Sequence, residues 1–318
     1  MTASPSIPGP IFHRRDHALA RRRRPAPRAP VVALAACLAG LGVAGLAVPA
    51  WAACIPIAQG PGQPQGVLPA GFRGSPPALK VRPAYPQWRI QSPREPSRDA
   101  RTVELTFLGH SSFLIRTPAN ATAVTDYNGY IRAGFPPDIV TMNRAHSTHY
   151  TDHVEPGVQH ILRGWDEEGG VPSHDVTLRD LRVRNVPTNI RDGLGGTGFA
   201  QNSIFIFESV GLCIVHLGHL HHPLTPEHAG RIGLVDVLLV PIDDGLTMLQ
   251  RRMGEVVETL RPAIVVPMHY SGEDLLQTFI GLMRDLGFTA RFHETATVRL
   301  AKGSLPRRTV LVLPGGYF

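Results

Sequence analysis

The chain has 318 residues, 43% of them hydrophobic and 18% charged, with a formal net charge of +7. That much apolar material excludes disorder throughout and suffices for one large domain, or two small ones, with a real core. Seven arginines and one acid fall within residues 1–53, leaving 25 basic and 24 acidic residues beyond them, so the net charge gives no electrostatic case for nucleic-acid binding.

In chain order, residues 1–53 carry the three parts of an export signal. Arg21 to Arg24 form a basic stretch, Val31 to Val48 an apolar run, and Ala50-Trp51-Ala52 a small-x-small cleavage pattern. A retained membrane anchor competes with this reading, but the run is rich in Ala and Gly and only marginally long enough to span a bilayer. The expectation is a cleaved signal peptide over 1–53 and a periplasmic or secreted protein. Membrane association is expected only if Cys54 is lipidated or the leader is retained; Trp51-Ala52-Ala53 before Cys54 is a poor lipoprotein box, with Trp where Leu is usual. Arg14-Arg15 lacks the hydrophobic residues that follow a twin-arginine signal, which leaves the export route open. Outside the leader, Cys54 and Cys213 would meet an oxidising compartment and could pair. Cys213 sits in an apolar run, however, where a buried thiol is the expected state.

Residues 54–101, dense in Pro and Gly, read as an extended arm or linker. The folded domain is expected over 102–318. Strands are predicted at Val103–Phe107, Ser112–Arg116, Ala121–Thr125, Asp138–Met142, Leu181–Val186, Ser203–Phe207, Leu212–His216, Val235–Val240 and Ile264–Pro267, and helices at Thr247–Leu260 and Glu273–Leu286. Early strands are joined mostly by turns and later ones alternate with helices, which favours a sheet-rich α/β sandwich over a purely parallel sheet.

Thirteen histidines lie beyond the leader, unevenly placed. His146, His149 and His153 follow one predicted strand, His216, His219, His221 and His222 follow another, and His269 ends a third. Any one alone reads as an ordinary surface or core histidine. Three strand ends carrying them together point to a metal site, since imidazole is the usual zinc ligand and a catalytic zinc needs about three protein ligands with an open position.

Five segments occur in the order seen in the metallo-β-lactamase superfamily, which the chain resembles between Thr102 and Phe292: Leu105 to Ile115 (LTFLGHSSFLI), Thr125-Asp126-Tyr127, the Pro137 to Val140 strand leading into histidines, His216 to His222 (HLGHLHH), and Pro267 to Tyr270 (PMHY). The resemblance is greatest to the branch of zinc-dependent hydrolases that includes ascorbate-lactonase-like enzymes and phospholipase-D-like enzymes acting on N-acyl ethanolamine lipids. It implies a four-layer αββα sandwich and a hydrolase that uses a metal-bound water on an ester, lactone, amide or phosphodiester, which the leader makes an exported one.

The family's His-x-His-x-Asp-His signature is not intact. In the preferred register it falls on Arg144 to His149, with Arg144 at the first ligand and Thr148 at the aspartate; a competing register ends on Asp152-His153. Gly218-His219 stands where the family commonly has Gly-Asp, and an imidazole with one free lone pair cannot bridge two ions as a carboxylate does. Val186 to Ile190, near where another ligand often lies, has no histidine. The expected ligands are therefore His149, His219 and His269, with His146 as a fourth and His222, the best family match in its segment, as a competitor. One zinc ion is expected, with manganese or iron as alternatives. Arg144 is expected to hold an anionic group of a small-molecule substrate or stabilise developing charge, a salt bridge at the strand end being the equal alternative. Asp126 and Asp152 would orient ligand histidines, Asp152 doubling as a general base, with turn capping the competing role for each. Gly193 to Gly198 lacks the setting of a phosphate-binding loop and reads as a flexible loop near the site. A non-catalytic protein that binds a metal or small ligand on a degenerate hydrolase fold is the alternative function.

Overall fold

A computed structural model describes residues 54, 100–192 and 195–315. The expected leader, nearly all of the Pro/Gly-rich arm, and Gly193 and Leu194 of the glycine cluster lie outside the described residues.

The first strands are β1 (Val103–Gly109), β2 (Ser112–Arg116), β3 (Thr122–Val124), β4 (Ile139–Met142) and β5 (His160–Arg163). Next come β6 (Asp175–Leu178), β7 (Leu181–Arg191), β8 (Thr197–Ser209) and β9 (Leu212–His216). The chain then alternates: α1 (Pro226–Ile232), β10 (Val237–Pro241), α2 (Gln250–Leu260), β11 (Ile264–Met268), α3 (Glu273–Asp285), β12 (Thr289–Phe292), β13 (Thr297–Leu300) and β14 (Thr309–Val312). Six strands form one sheet in the order β13-β1-β2-β3-β4-β5 and eight form a second in the order β12-β14-β11-β10-β9-β8-β7-β6.

The two sheets face each other over a shared core. In β1 the buried positions alternate through Val103, Leu105 and Phe107, the period of two that puts one face of a strand inward. They pack with Phe113 and Ile115 of β2 and with Phe205, Ile214, Leu239 and Val266 of the larger sheet. The other face of the larger sheet is covered by helices. α2 buries Met253, Val256, Val257 and Leu260, the i, i+3, i+4, i+7 stripe of an amphipathic helix, against Val215, Leu238 and Val240. It stops at Arg261, which is left-handed (φ 50°), just before Pro262, a residue that cannot continue a helix. On the smaller sheet, Leu114, Val124, Val140 and Met142 pack against Tyr127, Ala133, Trp165 and Phe135. The architecture is thus the expected α/β sandwich of the metallo-β-lactamase type; among the described residues, irregular chain makes the layer over the smaller sheet.

The larger sheet is parallel at β9-β10-β11-β14-β12 and the smaller one at β3-β4-β5. Parallel neighbours deliver their C-terminal ends to one edge, and the loops leaving β3, β4, β9, β10 and β11 are the ones that carry the site.

The expectation of a buried thiol at Cys213 is overturned: Cys213 forms a disulfide with Cys54, 159 positions away, across a Cα–Cα distance of 5.8 Å. Both residues lie in the helix-side core. The backbone at Cys54 is also held, its N–H donating to Glu208 Oε2 at 3.3 Å and its carbonyl accepting from Arg184 Nη2 at 3.1 Å. Arg184 and Glu208 form a buried ion pair at 2.7 Å, and the remaining Arg184 donors reach the carbonyls of Arg231 and Ile232 at the end of α1. A buried pair persists only when its remaining donors and acceptors are satisfied, and Cys54 supplies part of that. Closing so long a loop constrains the unfolded chain, so reduction, or Cys54→Ser with Cys213→Ser, is expected to cost about 2–4 kcal/mol. Urea unfolding with and without reductant measures this, and coincident curves would show that the crosslink is idle.

Candidate metal centre

Six side chains from five loops converge at the edge described above. Asp126 follows β3, His146 and His149 follow β4, His219 follows β9, Asp243 follows β10 and His269 follows β11. The ring nitrogens of His146, His149, His219 and His269 all lie within 4.8 Å of one another. His149 Nε2 and His269 Nε2 are 3.1 Å apart, as are His146 Nε2 and His219 Nε2. A tetrahedral zinc with 2.0–2.1 Å bonds spaces its ligands by about 3.4 Å, so small ring shifts close the set round one ion.

The histidines are aimed by their outer nitrogens. His149 Nδ1 meets Asp126 Oδ2 at 2.6 Å, with both side chains fully buried, and His269 Nδ1 meets Asp243 Oδ2 at 2.9 Å. A carboxylate only accepts, so each ring places its proton on Nδ1 and turns the lone pair of Nε2 inward. Asp126 is fixed in turn by Asn143 Nδ2 at 3.0 Å, and Asp243 by the N–H groups of Gly245 and Thr247 and the Thr247 hydroxyl. His146 Nδ1 reaches the Thr148 hydroxyl at 2.7 Å, which also meets His110 Nε2 at 2.9 Å. Donation from His146 to Thr148, and from Thr148 to His110, leaves His146 Nε2 with its lone pair turned inward as well, toward His219 Nε2.

His219 is different. Its Nδ1 meets His221 Nε2 at 2.5 Å, and His221 Nδ1 accepts the backbone N–H of Arg191 at 2.6 Å. A neutral His221 that accepts at Nδ1 donates from Nε2, which places the His219 proton on its inward nitrogen. Three of the four histidines therefore turn a lone pair inward, and His219 would do so only if both it and His221 changed tautomer. The backbone makes its approach possible through Gly218, at φ +61°, where a Cβ would stand 2.4 Å from Asn143 Nδ2 and from Asn202 Oδ1. Asn202 Oδ1 also accepts the N–H of His219 at 2.7 Å.

Burial is the largest force on the titrations. It pushes His110 down to about 3 and His146 and His221 to about 4, and lowers His149 and His219; neighbouring imidazoles add to the fall in every case, behind Arg191 at His221, while Asp126 opposes it most strongly at His149. Burial alone would raise the two carboxyls. The imidazoles and donors facing them outweigh it, holding Asp126 well below the usual range and Asp243 at about 2.

The remaining expected site residues make other contacts. His222 lies outside the four; its buried Nε2 has no hydrogen-bond partner. Asp152, expected as a general base, has a side chain 70% exposed and pairs with Arg163 at 3.4 Å. Arg144 pairs with Glu167 at 3.4 Å and lies 5.8 Å from the centroid of Trp165, so it makes the salt bridge that was its alternative role. His153 is exposed, and the preferred register, on His146 and His149, supplies the histidines that gather. His216 donates from Nε2 to Ser111 O at 2.8 Å and accepts the Gly218 N–H at Nδ1, both nitrogens being used within the fold. Sequence reasoning missed Asp243, although an acid directly after a buried apolar strand is the same strand-end signal that marked the histidines. It also passed over His110, whose ring lies 4.2 Å from that of His269.

Residues 104–269 match the family model of the β-lactamase superfamily domain. A UPF0173 metal-dependent hydrolase from Methanosarcina barkeri is 25% identical over 198 residues, 55% of this chain and 86% of that protein. Another, from Thermococcus kodakarensis, is 27% identical over 195 residues, 53% of this chain and 85% of its own length. A solved structure from Thermotoga maritima, assigned as a zinc-dependent hydrolase of the metallo-β-lactamase superfamily, has a TM-score of 0.51 at 25% identity and covers 67% of this chain and 100% of its own.

Two outcomes follow. Asp126→Asn and Asp243→Asn keep the shape but face the Nδ1 proton with a weaker acceptor, so each is expected to weaken zinc binding by about 10–100-fold; competition titration against a chromophoric chelator reads this, and unchanged affinity would rule out the orienting role. The lowered histidines take up protons more readily in the unfolded chain than in the folded one between their ordinary value of 6.5 and about 4. Stability of the metal-free protein therefore rises with pH across that window and falls on acidification through it. Melting curves in chelator from pH 7.5 to 4.5 should drop by several degrees, and a flat profile would contradict the buried-neutral assignment.

Proposed function

The chain belongs to the β-lactamase superfamily domain family, and from that premise we propose that it is an exported hydrolase with one zinc ion held by three of the four histidines His146, His149, His219 and His269, which leaves a position open for water or substrate. The observation that carries the reading is the pair of carboxylate-histidine contacts, which aim two buried Nε2 lone pairs at one point. An all-imidazole donor set suits zinc better than magnesium or calcium, which take oxygen ligands; manganese and iron are the other candidates. One ion rather than two is supported by Arg144 and Thr148 standing at two ligand positions of the signature, with Thr148 engaged by His146 and His110.

When bound, zinc supplies Lewis acidity that polarises a carbonyl or phosphoryl oxygen and acidifies water at neutral pH. The chain's own residues hold the rest of the geometry. Asp126 and Asp243 keep two ligand rings in one tautomer, and Thr148 holds His146, the exposed member of the set. The substrate class is an ester, lactone, amide or phosphodiester of a small molecule. A non-catalytic metal binder is the second reading, favoured by the position of Asp152, which is exposed and paired with Arg163 rather than held among the histidines.

Export to the periplasm or the cell exterior is supported by the Cys54–Cys213 disulfide, a kind of bond that persists in oxidising compartments. A sulfur committed to that bond is not available to a lipid. Among the described residues no helix is long and apolar enough to cross a membrane.

The test is a panel of esters, lactones, amides and phosphodiesters offered to the zinc-loaded protein and to His149→Ala and His269→Ala. Hydrolysis of at least one class by the wild type, lost by about 10³-fold or more in both variants together with their metal, is the expected result. Metal binding without turnover of any class would favour the non-catalytic reading.

A further inference from the structure

We propose that Arg191 is a positioning residue of the metal centre, its guanidinium holding the turn after β10 in the shape that aims Asp243 at His269. The proposal rests on the metal reading above. Arg191 ends β7, and its Nη2 donates to three successive backbone carbonyls, those of Gly245 at 2.8 Å, Leu246 at 3.2 Å and Thr247. The same turn sends its donors the other way. The N–H groups of Gly245 and Thr247 reach Asp243 Oδ1 at 3.0 and 2.8 Å, and the Thr247 hydroxyl reaches Oδ2 at 2.7 Å.

The turn is thus a polar sandwich, with the Asp243 carboxylate on its donor side and a guanidinium on its acceptor side. Three carbonyl dipoles converging on one point repel one another unless a cation sits there, and a charged donor is the stronger kind of partner. Without Arg191 the carbonyls turn toward water, the N–H groups turn with them, and the carboxylate that fixes the His269 tautomer loses its seat. The backbone at Asp244 has φ 58° and Gly245 has φ 158°, conformations that leave the turn few ways to hold its shape unaided. The N–H of Arg191 is also the donor to His221, which contacts His219. A single residue beside the turn of the β7–β8 hairpin thereby contacts the supports of two ligands that come from different loops.

The experiment measures zinc affinity, by competition with a chelator, and the melting temperature of the metal-free protein for wild type, Arg191→Ala, Arg191→Gln and Arg191→Lys. Arg191 is exposed, so a positioning role predicts metal-free melting close to wild type with zinc affinity about 10–100-fold lower in the Ala and Gln variants, and partial recovery in Lys. If Arg191→Ala melts well below wild type, Arg191→Gln, which keeps a donor, carries the comparison. Zinc bound as tightly by a well-folded Ala or Gln variant as by wild type overturns the role of Arg191 and leaves the metal centre standing. Failure of the wild type itself to bind zinc overturns the metal reading, and this proposal with it.

Discussion

The site depends on two buried carboxylates, each pressed against the outer nitrogen of a histidine. Asp126 faces His149 and Asp243 faces His269. An unpaired carboxylate is expensive to bury, so these groups are tolerable only because imidazoles, amides and a hydroxyl surround them. That requirement works in both directions. The donors hold the acids ionised, and the acids dictate which nitrogen of each ring carries its proton. Two ligand lone pairs therefore point at a common position as a consequence of how the fold satisfies its own buried charge.

The fold provides the convergence. Each of the five loops leaves the C-terminal end of a strand with a parallel neighbour, two in the smaller sheet and three in the larger. Packing the sheets through Leu105, Phe113, Phe205 and Val266 brings the two sets of ends together. Asn143, which follows β4, joins the sheets at that edge, accepting the N–H of Ser203 while donating to Asp126, and Asn202 within the larger sheet accepts the N–H of His219. Gly218 is the position where the two asparagines leave no room for a side chain. Rigid strands thus end in a network of short polar contacts, the kind of support that ligand positions need.

Much of this was legible in the sequence. The buried strands were found because their apolar runs are dense, and β2 and β9 begin and end where expected. The four strands at the sheet edges, β5, β6, β12 and β13, were not, since an edge strand buries little and its sequence shows no apolar run; β6 and β12 have no fully buried residue. β14, though apolar, is only four residues long and follows a short irregular stretch. At the site, strand ends carrying histidines pointed to His146, His149, His219 and His269. Spacing could not separate His222 from His219, because which of two nearby rings turns inward depends on the conformation at Gly218. Arg144 and Asp152 were drawn toward the site by their place in the signature, whereas their side chains find partners in Glu167 and Arg163. Asp243 lies outside the segments that resemble the family, so the acids expected behind the ligands are Asp126, which does orient His149, and Asp152, which does not sit among the histidines. Cys213 was misjudged because the apolar run around it says nothing of a partner 159 residues away.

Zinc-edge X-ray absorption on the protein loaded with one equivalent of zinc reads whether imidazoles alone hold a single ion. A single zinc on imidazoles gives a first shell dominated by nitrogen at about 2.0–2.1 Å, with the outer-shell pattern of about three imidazole rings. A zinc–zinc vector at about 3.5–4 Å, the separation of two-metal sites, or a shell dominated by carboxylate or sulfur ligands would contradict it.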